Sequence, residues 1–193
     1  MRKIPIFVLL LLSVSAFSQD RAKFLYAEFA DKSITIAPFY KVYGNNFDPV
    51  LTLGAGWGYW QKGNSVLFQT VQITGYRSEY VIQGVNLTTS LGYGYHHGSG
   101  VFGELMAGIG GGGFTMSRET FVLNGDDVYE ASRPLNFAVA VPFDLKLGYN
   151  TGRVSFYLKY RYVLMGPYVD NLPLLPLSQT GVGVRFDLQS TGK

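Results

Sequence analysis

Four residues near the middle of the chain, His96, His97, Ser99 and Glu104, are of the types that perform hydrolysis. A nucleophilic serine needs a histidine within hydrogen-bond reach to take its proton and an acid to orient that histidine. His97-x-Ser99 offers the first pair and Glu104 the carboxylate. The same residues suggest a metal site less well, because adjacent residues of an extended chain point to opposite faces and His96 and His97 then cannot share an ion. Gly108 and Gly110 to Gly113 have the composition of a phosphate cradle, but such a cradle opens a helix. Here Phe114-Thr115-Met116 continues a strand-like pattern. Asp126, Asp127 and Glu130 form an acidic group beside Asn124-Gly125, a type I′ turn signal between Phe121-Val122-Leu123 and Val128-Tyr129. Carboxylates so placed are ordinarily solvated. The expectation is therefore of no catalytic residues, no bound metal and no cofactor.

The elements that position these residues are extended. From Leu135 to Tyr149 every odd position is large and apolar or aromatic, while the even ones are small, polar or charged. Such a period of two belongs to a β-strand. With Asp144 and Lys146 on the same face as Ala138, Ala140 and Gly148, the polar side suits a crowded interior and the apolar side suits lipid. Similar segments run over Ser33 to Tyr43, Val50 to Trp60, Ser65 to Tyr76, Val85 to His96, Val101 to Met116, Val154 to Met165 and Thr180 to Leu188. Val154, Phe156, Leu158, Tyr160, Tyr162 and Leu164 should face outward, against Ser155, Tyr157, Lys159 and Arg161. Gln61 to Asn64, His97 to Gly100 and Asn150 to Arg153 are tight, glycine-containing turns; the alternate connections are mostly longer. The pattern predicts an all-β fold, a single antiparallel up-and-down transmembrane β-barrel of eight strands, ten being the alternative count. Phe24 to Ala30 is strand-like but is expected to be an accessory to the barrel.

Composition agrees. Arg2 and Lys3, the apolar run Ile4 to Val14 and Ala16-Phe17-Ser18 predict a signal peptide over 1–18 and a barrel domain over 19–193. Removing the leader reduces the 16 basic residues to 14 against 13 acidic ones, a charge of +1 that gives no reason to expect a nucleic-acid partner. The absence of cysteine excludes a disulfide scaffold, a thiol nucleophile and an acylated lipoprotein cysteine. The 24 glycines and the 16% aromatic content fit a narrow, coiled wall with interfacial girdles. Trp57, Tyr59, Tyr93, Tyr95, Tyr149 and Phe156 are assigned to the periplasmic girdle, and Tyr40, Tyr43, Tyr76 and Tyr162 to the outer one.

In these patterns the chain resembles the small outer-membrane β-barrel proteins of Gram-negative bacteria, a group that includes the transmembrane domain of outer-membrane protein A and porin-like barrels. The resemblance implies export to the outer membrane, contact with its lipid, and a non-enzymatic structural or surface-interaction role in which the outer loops bind a protein or small molecule. A narrow small-solute or anion pore is the alternative. The His-x-Ser pair with its carboxylate also resembles the hydrolytic set of lipid A deacylases, which makes a lipid A-modifying hydrolase a third reading. Inside the barrel, Glu104, Asp144 and Asp187 would share a narrow lumen with Lys41, Lys146, Lys159, Arg161 and Arg185, where paired charges are tolerated and unpaired ones are costly. Leu172, Pro173, Leu174, Leu175, Pro176 and Leu177 make an apolar, proline-stiffened segment that marks a partner loop or a lid over the barrel mouth.

Overall fold

The computed structural model describes residues 23–37, 40–43, 47–78, 82–116, 120–124, 128–132, 135–167 and 174–188. Eight long strands build a closed wall: β1 (Lys23–Ala37), β3 (Pro49–Lys62), β4 (Ser65–Arg77), β5 (Ile82–His96), β6 (Val101–Met116), β9 (Asn136–Asn150), β10 (Val154–Gly166) and β11 (Leu175–Asp187). Each pairs antiparallel with its neighbours in that order, and β11 returns to pair with β1 from Phe24↔Asp187 to Ile34↔Leu177. Closure leaves no free edge along the wall, which a sheet in lipid requires. Two further features lie beyond the wall. β2 (Tyr40–Tyr43) folds back on the end of β1, and β7 (Thr120–Asn124) with β8 (Val128–Ser132) forms a two-stranded ribbon between β6 and β9.

One strand differs from expectation. Phe24 to Ala30 is no accessory: it is the first half of β1, which runs straight through Asp31-Lys32 and replaces the expected stave Ser33 to Tyr43. Its period of two is present, with Phe24, Tyr26, Glu28, Ala30 and Lys32 buried inside and Leu25 and Phe29 exposed outside. Aromatic residues on both faces hide the alternation that identifies the other strands. The strand count remains eight because one stave has replaced another.

The side-chain partition is inverted relative to a water-soluble sandwich. Along β9, Phe137, Val139, Phe143, Leu147 and Tyr149 are exposed while Ala138, Ala140, Asp144 and Lys146 are buried, and β10 exposes Phe156 and Leu158 while burying Lys159 and Arg161. A wall with its charges inside and its aliphatic residues outside is stable only with hydrocarbon around it. One polar row interrupts the outer face: the Tyr59 hydroxyl donates to Gln69 Oε1, Gln69 Nε2 donates to Thr89 Oγ1 at 2.8 Å, and that hydroxyl donates to the Thr70 carbonyl at 3.1 Å. Gln69 thus stands among Leu67, Val71 and Ile73 with its amide satisfied.

Tight turns gather at one end, where Gly63, Gly100 and Gly152 have φ of 58°, 93° and 109°. Those left-handed backbones suit glycine, and they keep each hairpin short. Lys23 and Asp187 lie at the same end, so the longer connections are all opposite. Tyr93, Tyr95, Tyr149 and Phe156 are exposed around the tight-turn end and Tyr162 is half-buried on the outer face, as girdles require. Tyr76 is the correction: it points into the barrel at 6% exposure, because parity along β4 outranks nearness to a strand end. The side chains of Tyr40 and Tyr43 are outside the described residues.

The glycine run belongs to the wall. A Cβ on inward-facing Gly108, Gly110 or Gly112 would overlap the carbonyl oxygens of Thr89, Leu87 or Val85, so β5 and β6 approach more closely than any side chain allows. The pairing of β6 with β9 pauses opposite Pro142, which lacks the N–H a ladder needs.

Placing a charge on the outer face at mid-strand tests the orientation of the wall. Phe143→Arg should cost roughly 2–4 kcal/mol in folding into bilayers, because it buries a cation in hydrocarbon. Ala138→Ser, on the inner face, should cost less than 1 kcal/mol or so. Equal losses in urea titrations of the bilayer-inserted protein would reverse the assigned facing.

Candidate functional site

The lumen is filled by three layers. At the tight-turn end Phe24, Tyr26, Phe68 and Met106 form an aromatic floor, with the Phe24 and Phe68 rings 5.9 Å apart edge to face. The Arg185 guanidinium lies 5.1 Å from the Phe24 ring and 4.9 Å from the Phe102 ring, and its Nη1 donates to Glu104 Oε1 at 2.5 Å. His96 stacks on Phe102 with ring centroids 5.3 Å apart, its Nε2 3.7 Å from Glu104 Oε1.

Glu28 organises the middle layer. Its Oε1 accepts from Lys146 Nζ at 2.7 Å and from the Tyr157 hydroxyl at 2.9 Å, and its Oε2 accepts from Lys159. Lys146 Nζ also lies 4.5 Å from the Tyr26 ring and 4.6 Å from that of Tyr157, so aromatic faces replace part of its lost hydration. Beside it Arg161 makes a two-pronged pair with Asp144, Nε to Oδ1 at 2.5 Å and Nη2 to Oδ2 at 2.6 Å. Fork-to-fork geometry of this kind is the strongest form of ion pair available to side chains. Tyr26, Gln72 and Thr88 continue the network as a chain of hydrogen bonds at 2.9 and 2.8 Å.

The third layer, toward the long loops, is apolar: Val50, Tyr76, Ile82, Phe114, Val163, Met165, Leu175 and Leu177 pack together with small residues between them. Lys32 is the exception there. Its ammonium lies 4.5 Å from the Tyr76 ring and reaches the Ile82 carbonyl at 3.5 Å. Among the described residues, the buried ionisable side chains other than tyrosine are five bases (Lys32, Lys146, Lys159, Arg161, Arg185) and three acids (Glu28, Glu104, Asp144).

Of the expected lumen residues, the structure pairs Glu104 with Arg185 and Asp144 with Arg161, and gives Lys146 and Lys159 a shared acid. Asp187 sits at the rim, half-buried, with Oδ1 3.7 Å from Arg185 Nε. Lys41 lies in β2 and its side chain is outside the described residues. Sequence reasoning missed Glu28 and Lys32, and it turned Tyr157 inward without giving it a partner. The signal was present in Tyr26-x-Glu28-x-Ala30-x-Lys32, one face of a strand, but it required Phe24 to Ala30 to be part of the wall.

The apolar segment divides. Leu172 and Pro173 are outside the described residues and Leu174 is exposed, whereas Leu175, Pro176 and Leu177 already belong to β11, with both leucines turned inward to 3% and 2% exposure. These two leucines form part of the apolar layer. The hydrolytic set does not assemble: His97 Nδ1 and Ser99 Oγ are 2.9 Å apart on an exposed turn, where Nδ1 also accepts from the Ser99 amide at 3.3 Å. Glu104 faces the lumen on Arg185, so His97 has no contact with that acid. No group of three metal-ligating side chains converges among the described residues.

The Asp144–Arg161 pair supplies a test of the middle layer. Asp144→Asn should cost about 3–5 kcal/mol, because it leaves a guanidinium buried without its counter-charge. The double variant with Arg161→Met should lose less than Asp144→Asn alone. Strictly additive losses in a double-mutant cycle on the bilayer-inserted protein would show that the two groups are not coupled.

No family model matches the sequence, and no curated protein matches it. Solved structures do match its fold. Neisserial surface protein A aligns over 87% of this chain and 97% of its own at 17% identity, with a TM-score of 0.59. The attachment invasion locus protein Ail of Yersinia pestis, solved in complex with the heparin analogue sucrose octasulfate, aligns over 87% of this chain and all (100%) of its own at 13% identity and a TM-score of 0.47. The outer membrane enzyme PagL aligns over 84% and 98% at 11% identity and 0.48. At these identities the likeness is one of architecture, and that to the Neisserial protein agrees with the closed eight-stranded antiparallel barrel formed by this chain.

Proposed function

We propose that the protein is a non-enzymatic barrel of the Gram-negative outer membrane, exported by a signal peptide over 1–18, whose task is a structural or surface interaction carried by its outer loops. The tight-turn end, with Lys23 and Asp187, then faces the periplasm, and β2 and the β7–β8 ribbon face outward. The outer wall meets membrane lipid, and the partner at the loops is a protein or a small molecule. The observation that carries this reading is the filled lumen. Aromatic floor, ion-pair layer and apolar layer follow one another along the axis, so packed side chains occupy the space where a continuous water path would run. A pore needs such a path, and a Ser–His hydrolase needs an acid on its histidine. The Neisserial relative in fold, named as a surface protein, lends the reading support.

Three measurements on one set of samples test it. The intact protein in planar bilayers should show no steady single-channel current; reproducible currents would replace the interaction role with a narrow pore. Protease added to intact cells should cut the β7–β8 ribbon while sparing the barrel, since outer loops are accessible and the wall is not. Replacing residues 117–134 by Asn-Gly should leave a folded barrel and remove binding of the displaying cells to surface-bound proteins or glycans. Undiminished binding would move the role away from that loop.

A further inference from the structure

The apolar outer face does not reach the same height all round the barrel. On β1 the outward positions above Lys23 are Leu25, Ala27 and Phe29, and the next is Asp31, whose carboxylate accepts the Asp48 amide at 2.9 Å. Thr180 pairs with Asp31 and is exposed, and one outward position higher the Ser33 and Ser178 hydroxyls meet at 2.9 Å. The β1–β11 seam thus turns polar about 20 Å above Lys23, for strands tilted by roughly 40°. Phe47 does not raise this edge, because its ring folds back on Phe29 with centroids 5.6 Å apart. On β9 the outward positions from Leu135 to Tyr149 are apolar or aromatic without interruption, with Phe137 72% and Leu135 61% exposed. That run climbs about 35 Å, against an apolar band about 25 Å tall in such barrels.

An upright barrel would leave Leu135 and Phe137 in water while drawing Asp31 into hydrocarbon. Sinking the β6–β9 side reduces both costs at once, and tilting is how an overlong apolar stretch is accommodated. The same side carries a groove of about 530 Å³, lined by Leu87, Gly111, Phe137, Val139 and Pro167 and almost wholly apolar. It continues the lipid-facing wall upward. We propose that outer-leaflet acyl chains cover the β6–β9 face up to Phe137, this groove included, and that the barrel leans toward that face so that the lipid boundary drops to Asp31 and Thr180 at the seam. This placement rests on the reading of the wall as membrane-spanning and fixes where the membrane surface meets it. Counted from the tight-turn girdle, Tyr149 on β9 and Trp57 on β3, Val139 lies about 25 Å up and Pro49 about 20 Å. The lean therefore reverses their order of depth.

The chain has no cysteine, so a nitroxide on a single introduced thiol reports one position. Phe137→Cys, Val139→Cys, Leu145→Cys and Pro49→Cys are labelled, folded into phosphatidylcholine bilayers and checked for the heat-resistant mobility of the folded barrel. Collision with oxygen, which concentrates in hydrocarbon, is then compared with collision with an aqueous nickel chelate. Leu145, at mid-wall, sets the hydrocarbon value. Phe137 and Val139 should approach that value, and Pro49 should be the more open to nickel although it stands no higher along the axis. If Pro49→Cys does not fold, Asp31→Cys takes its place with the same order expected. A Leu145 label open to nickel would remove the membrane placement itself, and the lean with it. With Leu145 in hydrocarbon, Phe137 and Val139 more open to nickel than Pro49 would show an upright barrel and overturn the lean alone. A Phe137 label shielded from both reagents would mean that a second copy or the chain's own loops cover this face, which also overturns the proposal.

Discussion

The interaction on which the rest depends is the grip of Glu28 on Lys146 and Lys159. An eight-stranded barrel is only wide enough for its own side chains, so charges that point inward cannot keep a shell of water and must neutralise one another. One carboxylate from β1 holds two ammonium groups, from β9 and β10, with the Tyr157 hydroxyl on the same oxygen as Lys146. Arg161 with Asp144 and Arg185 with Glu104 complete the ion pairs. Arg161 and Asp144 are partners on the adjoining strands β10 and β9, but the contacts of Glu28 and that of Arg185 with Glu104 cross the lumen, whereas the backbone ladders run around it. The pairs therefore fix the cross-section that the ladders leave free to flatten, and the glycines of β6 let the wall close tightly enough for the pairs to meet.

Much of this was legible in the sequence, and for identifiable reasons. In β9, β10 and β11 the two faces differ sharply in polarity, so both the strand and its facing could be read from the residues. The tight turns were marked by Gly63, Gly100 and Gly152, at the positions where a left-handed backbone occurs. β1 was hidden because Phe24 and Tyr26 point in while Leu25 and Phe29 point out, which erases the polarity contrast. With β1 misread, Glu28 had no reason to be placed in the lumen. Leu175 and Leu177 were hard to place for a related reason: at the long-loop end the interior itself is apolar, and inward leucines resemble a hydrophobic loop. Tyr76 shows that a tyrosine near a strand end belongs to a girdle only if its parity is outward.

The two ends of the lumen are built on different principles. The long-loop end is sealed by hydrocarbon contacts, with Lys32 as its one buried charge among the described residues, and that layer gains little from binding a polar ligand. The tight-turn end opens as a cavity lined by charged side chains of both signs, Arg153 and Arg185 with Glu104 and Asp187. A solute approaching from one side meets a dry stopper, and from the other a polar cup.

The seam between β1 and β11 joins the two ends of the sequence, pairing Phe24 with Asp187. Loop closure over nearly the whole domain is the largest entropic step in forming such a wall, and it is the last to be rewarded by contacts. Glu28 sits on one side of that seam and Arg185 on the other. Until the seam shuts, the open sheet presents lysines and acids on a concave surface that only water can satisfy. Drying the interior and closing the ring are consequently a single cooperative event, so a chain interrupted before β11 would be left with an unfinished edge and with buried charges whose partners have not arrived.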